Sequence, residues 1–172
     1  METLKPVIRD IPDFPKEGII FKDITPLLSN PISFKKVIDT LKTRYKGNRI
    51  DRVVGVEARG FVFASALAYA LDCGVVMVRK PGKLPYKTFQ ETYSLEYGED
   101  SVEIHQDAFE KGQNVVIIDD VLATGGTLAA CIDLVNKNFE VNLVEVGFLI
   151  ELDFLKGRQK LGNVSIYSIM HF

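Results

Sequence analysis

Residues 115–127, with the sequence VVIIDDVLATGGT, constrain the fold of this chain more than any other segment. Apolar, β-branched residues at 115–118 are typical of a strand that is buried on both faces of a sheet. Asp119 and Asp120 follow, and a loop of small residues then leads into a helix that begins near Gly126. Open α/β sheets bind their ligands at the carboxyl ends of their strands. The segment therefore predicts an α/β domain with a ligand site after this strand.

The rest of the chain repeats this alternation of strands and helices. Further apolar runs predict core strands at residues 52–56, 75–79, 141–150 and 164–169. Apolar residues at helical spacing, or a glycine just past the end, predict helices at residues 32–46, 60–71, 126–136 and 153–161. Strands that are apolar at successive positions and are separated by helices indicate a mostly parallel central sheet flanked by helices.

Two segments depart from that alternation. Five prolines among the first 31 residues predict an irregular N-terminal hood over residues 1–30. Residues 87–106 contain two short segments around a turn at Gly98, and they predict an antiparallel hairpin that serves as a flexible lid. No linker or repeat divides the sequence, so we expect one domain over residues 1–172.

Composition excludes several classes of function. The 172 residues are 47% hydrophobic and have a net charge of −2, without the basic excess that attracts nucleic acids or anionic membranes. No apolar run approaches the roughly 20 residues that span a bilayer, and the first residues show no secretory signal. Cys73 and Cys131 have neither metal-ligand spacing nor a disulfide-dense context. We therefore expect a cytoplasmic protein with reduced thiols and no nucleic-acid or membrane partner.

The loop after the two aspartates has the composition of a phosphate site. Small residues leave backbone N–H groups free to converge on an anion, and threonine hydroxyls add further donors. The loop residues are Ala123, Thr124, Gly125, Gly126 and Thr127. Carboxylates beside a phosphate are explained if Asp119 and Asp120 face the hydroxyls of a ribose 5-phosphate and a divalent cation. The alternative is a solvated acidic strand end before an ordinary glycine turn. A buried strand, an acidic pair, a loop of small residues and the start of a helix coincide here, and this coincidence favours a functional site.

This segment closely resembles the signature of the type I phosphoribosyltransferases. Shorter stretches that resemble the same family extend over nearly the whole chain, at residues 13–15, 18–24, 59–61, 79–85, 94–98 and 155–158. The resemblance implies the parallel-sheet fold of that family and a substrate, 5-phosphoribosyl diphosphate, whose 5-phosphate binds the loop. It also implies a homodimer, and Mg²⁺ as a cofactor that is held through the substrate without a direct protein ligand.

A second anion site is predicted after the strand at residues 52–56. Ala58 and Arg59 lie in another short turn from a strand to a helix, and a guanidinium group suits phosphate oxygens. The resemblance implies that this turn binds the diphosphate of the substrate. It is helped by basic residues after the next strand, namely Arg79, Lys80 and Lys83. The alternative for this region is an ordinary turn with surface cations.

The resemblance also assigns catalytic roles. Glu96, in the hairpin, is expected to assist proton transfer from the attacking base, while Tyr97 closes the site and Arg59 assists departure of the diphosphate. The pattern alone favours an ordinary solvent-facing glutamate on a strand, and the resemblance at residues 94–98 reverses that order. Family members that use adenine imply a base site in the hood, at Ile20, Phe21 and Lys22. Val121, Leu122 and Leu152 are candidate apolar walls for the base, and plain core packing is the alternative for them.

These assignments together predict an enzyme that makes AMP and diphosphate from adenine and 5-phosphoribosyl diphosphate. Members that use 6-oxopurines carry an acidic residue in the phosphate loop, where this chain has Ala123. One alternative is a phosphoribosyltransferase for another base, such as xanthine or orotate. Another is a non-catalytic regulator that senses the same metabolite, although no basic surface signal supports one.

Overall fold

The computed structural model describes residues 2–94 and 98–172 of the chain. Its α-helices are α1 (Thr25–Ser29), α2 (Pro31–Arg44), α3 (Gly60–Ala70) and α4 (Gly126–Asn138). Its strands are β1 (Arg9–Pro12), β2 (Ile20–Asp23), β3 (Arg52–Val56), β4 (Gly74–Val78), β5 (Thr88–Ser94), β6 (Glu99–His105), β7 (Asn114–Leu122), β8 (Asn142–Glu151) and β9 (Ile166–His171). Short 3₁₀-helices cover Glu2–Val7, Asp153–Leu155 and Gly157–Lys160.

The central sheet contains β4, β3, β7, β8 and β9 in that spatial order, and all neighbouring strands are parallel. The strand order reverses between β3 and β7, because β4 lies on the outer side of β3 while the later strands extend from β7. In an open α/β sheet, such a reversal leaves a crevice at the carboxyl ends of the two strands. The residues that follow β3 and β7 therefore share one crevice, and the predicted fold class is confirmed.

Two hydrophobic cores cover the two faces of this sheet. Successive residues of a strand point to opposite faces, so Val53 lies in one core and Val54 in the other. The first core includes Phe63 from α3 together with residues of α2. The second includes Leu134 from α4 and Ile104 from β6. The base of the β5–β6 hairpin is therefore packed into the domain rather than lying apart from it.

Helix α2 begins one residue before the predicted start, and its first turn explains why. The side-chain oxygen of Asn30 accepts hydrogen bonds from the backbone N–H groups of Ile32 and Ser33, each at 3.0 Å. Pro31 occupies the first helical position, where its missing N–H costs no hydrogen bond. The cap and the proline together fix the start of the helix.

Strand β7 is longer than the predicted strand at residues 115–118. It continues to Leu122, because Asp119 and Val121 pair with Phe148 and Ile150 of β8. Both aspartates therefore lie near the carboxyl end of β7, where the pairing with β8 fixes the position of the backbone.

The prediction of an irregular hood over residues 1–30 was wrong. Strands β1 and β2 pair in antiparallel register from Arg9 opposite Asp23 to Pro12 opposite Ile20. Pro12 stands at the end of β1 in this two-stranded sheet, where its missing N–H donor is tolerated. The predicted helix at residues 153–161 was wrong as well. The backbone there forms two 3₁₀-helices that are separated by Lys156, whose φ is 52°.

The hairpin of β5 and β6 pairs from Thr88 opposite His105 to Ser94 opposite Glu99. It therefore forms within residues 87–106, where an antiparallel hairpin was predicted. Among the helices in the described ranges, none combines the length and the apolar character that crossing a membrane requires.

Candidate active site

A cavity of about 430 Å³ lies at the carboxyl ends of β3 and β7, beneath the β1–β2 hairpin. Most of the residues that the sequence assigned to a site line this one cavity. They are Ile20, Phe21, Lys22, Ala58, Arg59, Lys80, Asp119, Asp120, Val121, Ala123, Thr124, Gly125, Gly126, Thr127 and Leu152. The structure thus brings together groups that are separated by more than 130 positions in the chain.

The phosphate loop is held by close backbone packing against the turn at Gly157. Gly125 has a φ of 81°, and a Cβ added there would lie 2.4 Å from the carbonyl oxygen of Gly157. A Cβ on Gly157 would in turn lie 2.1 Å from the carbonyl oxygen of Ala123. Both positions therefore require glycine, and the loop stands at the N-terminus of α4 with its N–H groups available to an anion.

The two aspartates differ in their surroundings although they are adjacent. Asp120 is buried and Asp119 is half-buried, and Oδ1 of Asp119 accepts a hydrogen bond of 2.9 Å from the backbone N–H of Asp120. Burial and the neighbouring charge of Asp120 raise the pKa of Asp119 well above the usual range of aspartate. Burial raises the pKa of Asp120 too, and the nearby charge of Arg59 opposes that shift. The pair is thus a costly feature unless a ligand uses it.

Arg59 connects the acidic pair with the hood. Its Nε lies 2.7 Å from Oδ2 of Asp120, and its guanidinium carbon lies 5.1 Å from the centre of the Phe21 ring. Helix α3 approaches closely at this point, because a Cβ on Gly60 would lie 2.8 Å from Oδ1 of Asp119. The cation is partly exposed to the cavity, so it is available to an anionic ligand as well as to the carboxylate.

The basic cluster after β4 is divided between the cavity and its surroundings. Lys80 lines the cavity, whereas Arg79 and Lys83 are not among the residues that line it. The guanidinium of Arg79 donates two hydrogen bonds of 3.2 Å to the carboxylate of Glu57 and one of 3.1 Å to the carbonyl of Lys83. Glu57 also accepts a hydrogen bond of 3.0 Å from the backbone N–H of Lys80.

Glu57 was missed by the sequence analysis, although it lines the cavity and links the turn after β3 to Arg79 and Lys80. The signal that could have found it is its position directly after β3, beside Ala58. Further lining residues that were missed are apolar and lie close to the predicted ones in the chain, namely Ile19, Val56, Leu128 and Leu155. They extend the apolar walls that Val121 and Leu152 were predicted to form.

Lys22 lines the cavity, but its ammonium group is engaged elsewhere. Its Nζ donates a hydrogen bond of 2.7 Å to Oδ1 of Asp10 and lies 4.4 Å from the centre of the Phe172 ring. The Phe21 ring packs edge to face against Phe14 at 5.2 Å. The hood thus offers the cavity an aromatic ring and backbone groups, while the lysine side chain fastens the hood to the C-terminus.

Glu96 and Tyr97 lie outside the described residues, so their predicted roles remain predictions. Nearby on β5, Tyr93 was missed by the sequence analysis. Its hydroxyl lies 3.0 Å from Oγ1 of Thr127 in the phosphate loop. The described part of the hairpin therefore contacts the predicted phosphate site directly.

Fold and cavity together define a phosphoribosyl transferase, and the profile of the phosphoribosyl transferase domain matches residues 23–166. The chain is 59% identical over 172 residues to the adenine phosphoribosyltransferase of Trichlorobacter lovleyi, with 100% of both chains covered. It is 58% identical to the protein of the same name from Geobacter metallireducens, again with 100% of both chains covered. The chain therefore belongs to the adenine phosphoribosyltransferase family.

Solved structures agree with this assignment. The adenine phosphoribosyltransferase of Thermoanaerobacter pseudethanolicus is similar with a TM-score of 0.95 and 50% identity, over 99% of each chain. The enzyme of Saccharomyces cerevisiae, complexed with an imino-altritol bisphosphate and adenine, is similar with a TM-score of 0.91 and 47% identity, over 97% of this chain and 96% of that one.

Proposed function

We propose that this chain transfers the 5-phosphoribosyl group of 5-phosphoribosyl diphosphate to adenine, which gives AMP and diphosphate in a purine salvage reaction. The observation that carries this function is the single cavity shared by the phosphate loop, the acidic pair, Arg59 and the hood strand β2. Each of these parts suits a different portion of the two substrates, and the relatives at 58–59% identity are adenine phosphoribosyltransferases.

The phosphate loop binds the 5-phosphate of the ribose. Backbone N–H groups at the start of α4 and the hydroxyls of Thr124 and Thr127 supply donors, and the positive end of the helix dipole adds about 0.3–2 kcal/mol. Asp119 and Asp120 accept hydrogen bonds from the 2′- and 3′-hydroxyls of the ribose. Their negative charge also stabilises the positive charge that develops on the buried sugar during the reaction.

The turn after β3 binds the diphosphate. Ala58 offers its backbone N–H, and the cations are supplied by Arg59 and Lys80, which both line the cavity. Arg79 and Lys83 add positive charge from just outside it, with Arg79 oriented by Glu57.

Mg²⁺ enters this proposal with the substrate rather than through a dedicated protein site. The residues present fit an ion that arrives with its ligand, because the carboxylates of Asp119 and Asp120 line the cavity and supply negative charge beside it without acting as direct ligands. When bound, the ion neutralises charge on the departing diphosphate. The protein groups that hold the diphosphate in place are those of the turn after β3.

The reaction breaks the bond between C1 of the ribose and the diphosphate oxygen, and it forms a bond from C1 to a purine nitrogen. That nitrogen gives up its proton, and Glu96 is the residue proposed to accept it. Tyr97 closes the site over the substrates. Arg59 holds the diphosphate as negative charge builds on it, and for that reason we count it among the catalytic residues.

Adenine is the proposed base because of what the cavity offers to a purine ring. Phe21, Val121 and Leu152 give apolar and aromatic surface, and the backbone of Ile20 and Lys22 supplies one acceptor and one donor to an aminopurine edge. Ala123 brings no acidic group to the loop, and an acidic group there is what the 6-oxopurine members use.

A homodimer is proposed as the assembly. Edge strand β4 leaves the apolar side chains of Val75 and Met77 41% and 45% exposed, and on the adjacent helix α3 Val62 and Tyr69 are 41% and 88% exposed. A second copy that covers this surface would remove four large apolar side chains from water.

Light scattering on the purified protein tests this assembly, with an expected mass of twice 19.3 kDa. Tyr69→Asp combined with Met77→Asp should give monomers. Ile32→Asp is the matched control, because Ile32 is 80% exposed on α2. A dimer that survives the double substitution, or dissociates with the control, would contradict the proposed face.

A cytoplasmic location is proposed as well. Cys73 and Cys131 are free thiols, and Cys131 is fully buried, which fits a protein that folds and works in a reducing compartment. Fractionation of cells that express the tagged protein tests this, and recovery with periplasmic or membrane material would contradict it.

The activity is tested by incubating the protein with Mg²⁺, 5-phosphoribosyl diphosphate and single bases, and measuring diphosphate release. We expect turnover with adenine that exceeds turnover with hypoxanthine, guanine, xanthine or orotate. Faster turnover with another base would show that this base, and not adenine, is the preferred substrate. Binding of 5-phosphoribosyl diphosphate without turnover of any base would favour a regulator.

A further inference from the structure

Lys80, a cation of the proposed diphosphate site, is held by two residues of the β5–β6 hairpin. Its Nζ donates a hydrogen bond of 3.1 Å to the hydroxyl of Tyr93 and a short one to Oδ2 of Asp100. The same hydroxyl donates a hydrogen bond of 3.0 Å to Oδ2 of Asp100. An ammonium group has three N–H donors, and two of them point at the hairpin instead of into the cavity.

Tyr93 extends this network to the phosphate loop. Its hydroxyl lies 3.0 Å from Oγ1 of Thr127, and either oxygen could be the donor. A phenol has a single proton, and Tyr93 donates it in the hydrogen bond to Asp100. Asp100 accepts as a carboxylate, because the hydrogen bond from Lys80 keeps the pKa of this carboxyl below its usual range. Thr127 must therefore donate its own proton to Tyr93. The hydroxyl proton that was predicted to bind the 5-phosphate is thus turned toward the hairpin.

The network therefore satisfies two anion-binding groups with the protein's own acceptors. Asp100 is the origin of this arrangement, because its charge attracts Lys80 and fixes the direction of the Tyr93 proton. The pair is only partly buried, with 40% of the Lys80 side chain and 32% of the Asp100 side chain exposed. Ion pairs with that much exposure contribute little, so an incoming anion can displace the carboxylate.

We propose that Asp100 is a positioning residue that competes with the diphosphate group for the ammonium of Lys80, and so weakens diphosphate binding while the hairpin is docked. The inference rests on the proposed function for the identity of the anion. If Asp100 only supported the fold, its replacement would weaken the binding of diphosphate. A competing carboxylate gives the opposite sign, since its removal leaves Lys80 available to the ligand.

The test is calorimetric binding of inorganic diphosphate in the presence of Mg²⁺ to the full-length protein. Asp100→Asn keeps the size of the side chain and removes its charge, so the dissociation constant should fall roughly two- to fivefold. Asp100→Ser should change binding in the same direction, which guards against a special effect of the amide. In assays, KM for 5-phosphoribosyl diphosphate should fall with kcat unchanged or lower.

Two controls assign the effect to Lys80. Glu99→Gln removes an exposed carboxylate from the adjacent position of β6, and it should change diphosphate affinity by less than about 1.5-fold. In a Lys80→Met background, Asp100→Asn should have no further effect on affinity, because the contested cation is gone. Unchanged or weaker binding by both Asp100 variants would overturn the inference, as would a gain that persists without Lys80.

The proposed function fails independently of this inference. Wild-type protein that releases no diphosphate from 5-phosphoribosyl diphosphate with any base would refute the activity, whereas the binding experiment needs no turnover. An active wild type whose Asp100 variants bind diphosphate no more tightly would leave the activity standing and remove only the competition.

Discussion

Nε of Arg59 lies 2.7 Å from Oδ2 of Asp120, yet this buried oxygen receives no hydrogen bond from the described residues. The contact is an ion pair in which the N–H does not point at the oxygen. The guanidinium of Arg59 thus offsets two adjacent carboxylates, because Asp119 is next to Asp120 in β7. The acidic pair is left with acceptors for ligand hydroxyls, and the protein carries a site that is less stable without its ligand.

The first prediction concerns the cost of this acidic pair. Burial raises the pKa of Asp119 in the folded protein, so its contribution to stability is present below the ordinary aspartate range and is lost as pH rises through the raised pKa. Asp119→Asn should therefore stabilise the protein at pH 7.5 by about 1–2 kcal/mol, or roughly 2–8 °C in Tm. Turnover should fall roughly ten- to hundredfold, since a charged acceptor for ribose is lost.

Thermal unfolding at several pH values, together with steady-state assays, checks this prediction. The gain in Tm should shrink as the pH falls toward 4, because Asp119 is then protonated in the folded state and no longer buries a charge. Asp107→Asn, on the exposed loop after β6, is the control and should change neither quantity. A variant that is less stable than the wild type at pH 7.5 would show that the carboxylate is compensated within the fold.

The parts of the fold that the sequence predicted are those governed by local pattern. Strand β3 was predicted with its observed bounds, because a short apolar run there is flanked by charged residues at both ends. The β1–β2 hairpin was missed because the prolines of this segment indicated an irregular backbone, whereas the two strands pair and Arg9 binds Asp23 at 2.6 Å. No periodicity in a single segment indicates such a pairing.

The same distinction explains what was predicted of the site. Asp120 lies near the carboxyl end of β7 and Arg59 stands three residues after the end of β3, so their place in the crevice follows from the order of the elements. Tyr93 and Asp100 were missed, because only the packing of the hairpin on α4 brings them to Lys80. Sequence patterns predict which residues lie at a strand end, whereas the direction of their hydrogen bonds depends on the assembled fold.

A second prediction tests the bracing of the phosphate loop. Gly157→Ala would place a Cβ 2.1 Å from the carbonyl oxygen of Ala123, which forces the loop to move. Stability should fall by about 1–3 kcal/mol, and KM for 5-phosphoribosyl diphosphate should rise roughly tenfold. Denaturant unfolding and initial-rate kinetics measure the two effects.

Gly126→Ala is the contrast for stability. Its Cβ would meet Tyr93 at an ordinary 3.6 Å, and alanine inside a helix is favoured over glycine by about 0.5–1 kcal/mol. This variant should be at least as stable as the wild type. Equal losses of stability in both variants would mean that the contact with Gly157 does not shape the loop.

A third prediction concerns Lys22, whose ammonium binds Asp10 at 2.7 Å and lies over the Phe172 ring. Because these contacts occupy the side chain, the base should be read by backbone groups and not by the lysine. Lys22→Arg should leave KM for adenine within about twofold, and Lys22→Met should cost about 1 kcal/mol of stability with a similarly small change in KM. Kinetics with adenine as the varied substrate would reveal direct recognition as an increase beyond tenfold in either variant.

The last prediction addresses Glu96, whose proposed role is to accept the proton of the attacking nitrogen. Replacing it with alanine should lower kcat by roughly 10²–10⁴-fold, which is the usual contribution of a positioned acid or base. KM for 5-phosphoribosyl diphosphate should change little, because the anion sites after β3 and β7 lie on other elements. Glu99→Ala removes another carboxylate from the same hairpin and should leave kcat within about twofold, since Glu99 is exposed to solvent. Single-turnover measurements separate the chemical step from product release. A near-normal chemical rate in Glu96→Ala would mean that solvent or another group of the cavity accepts the proton.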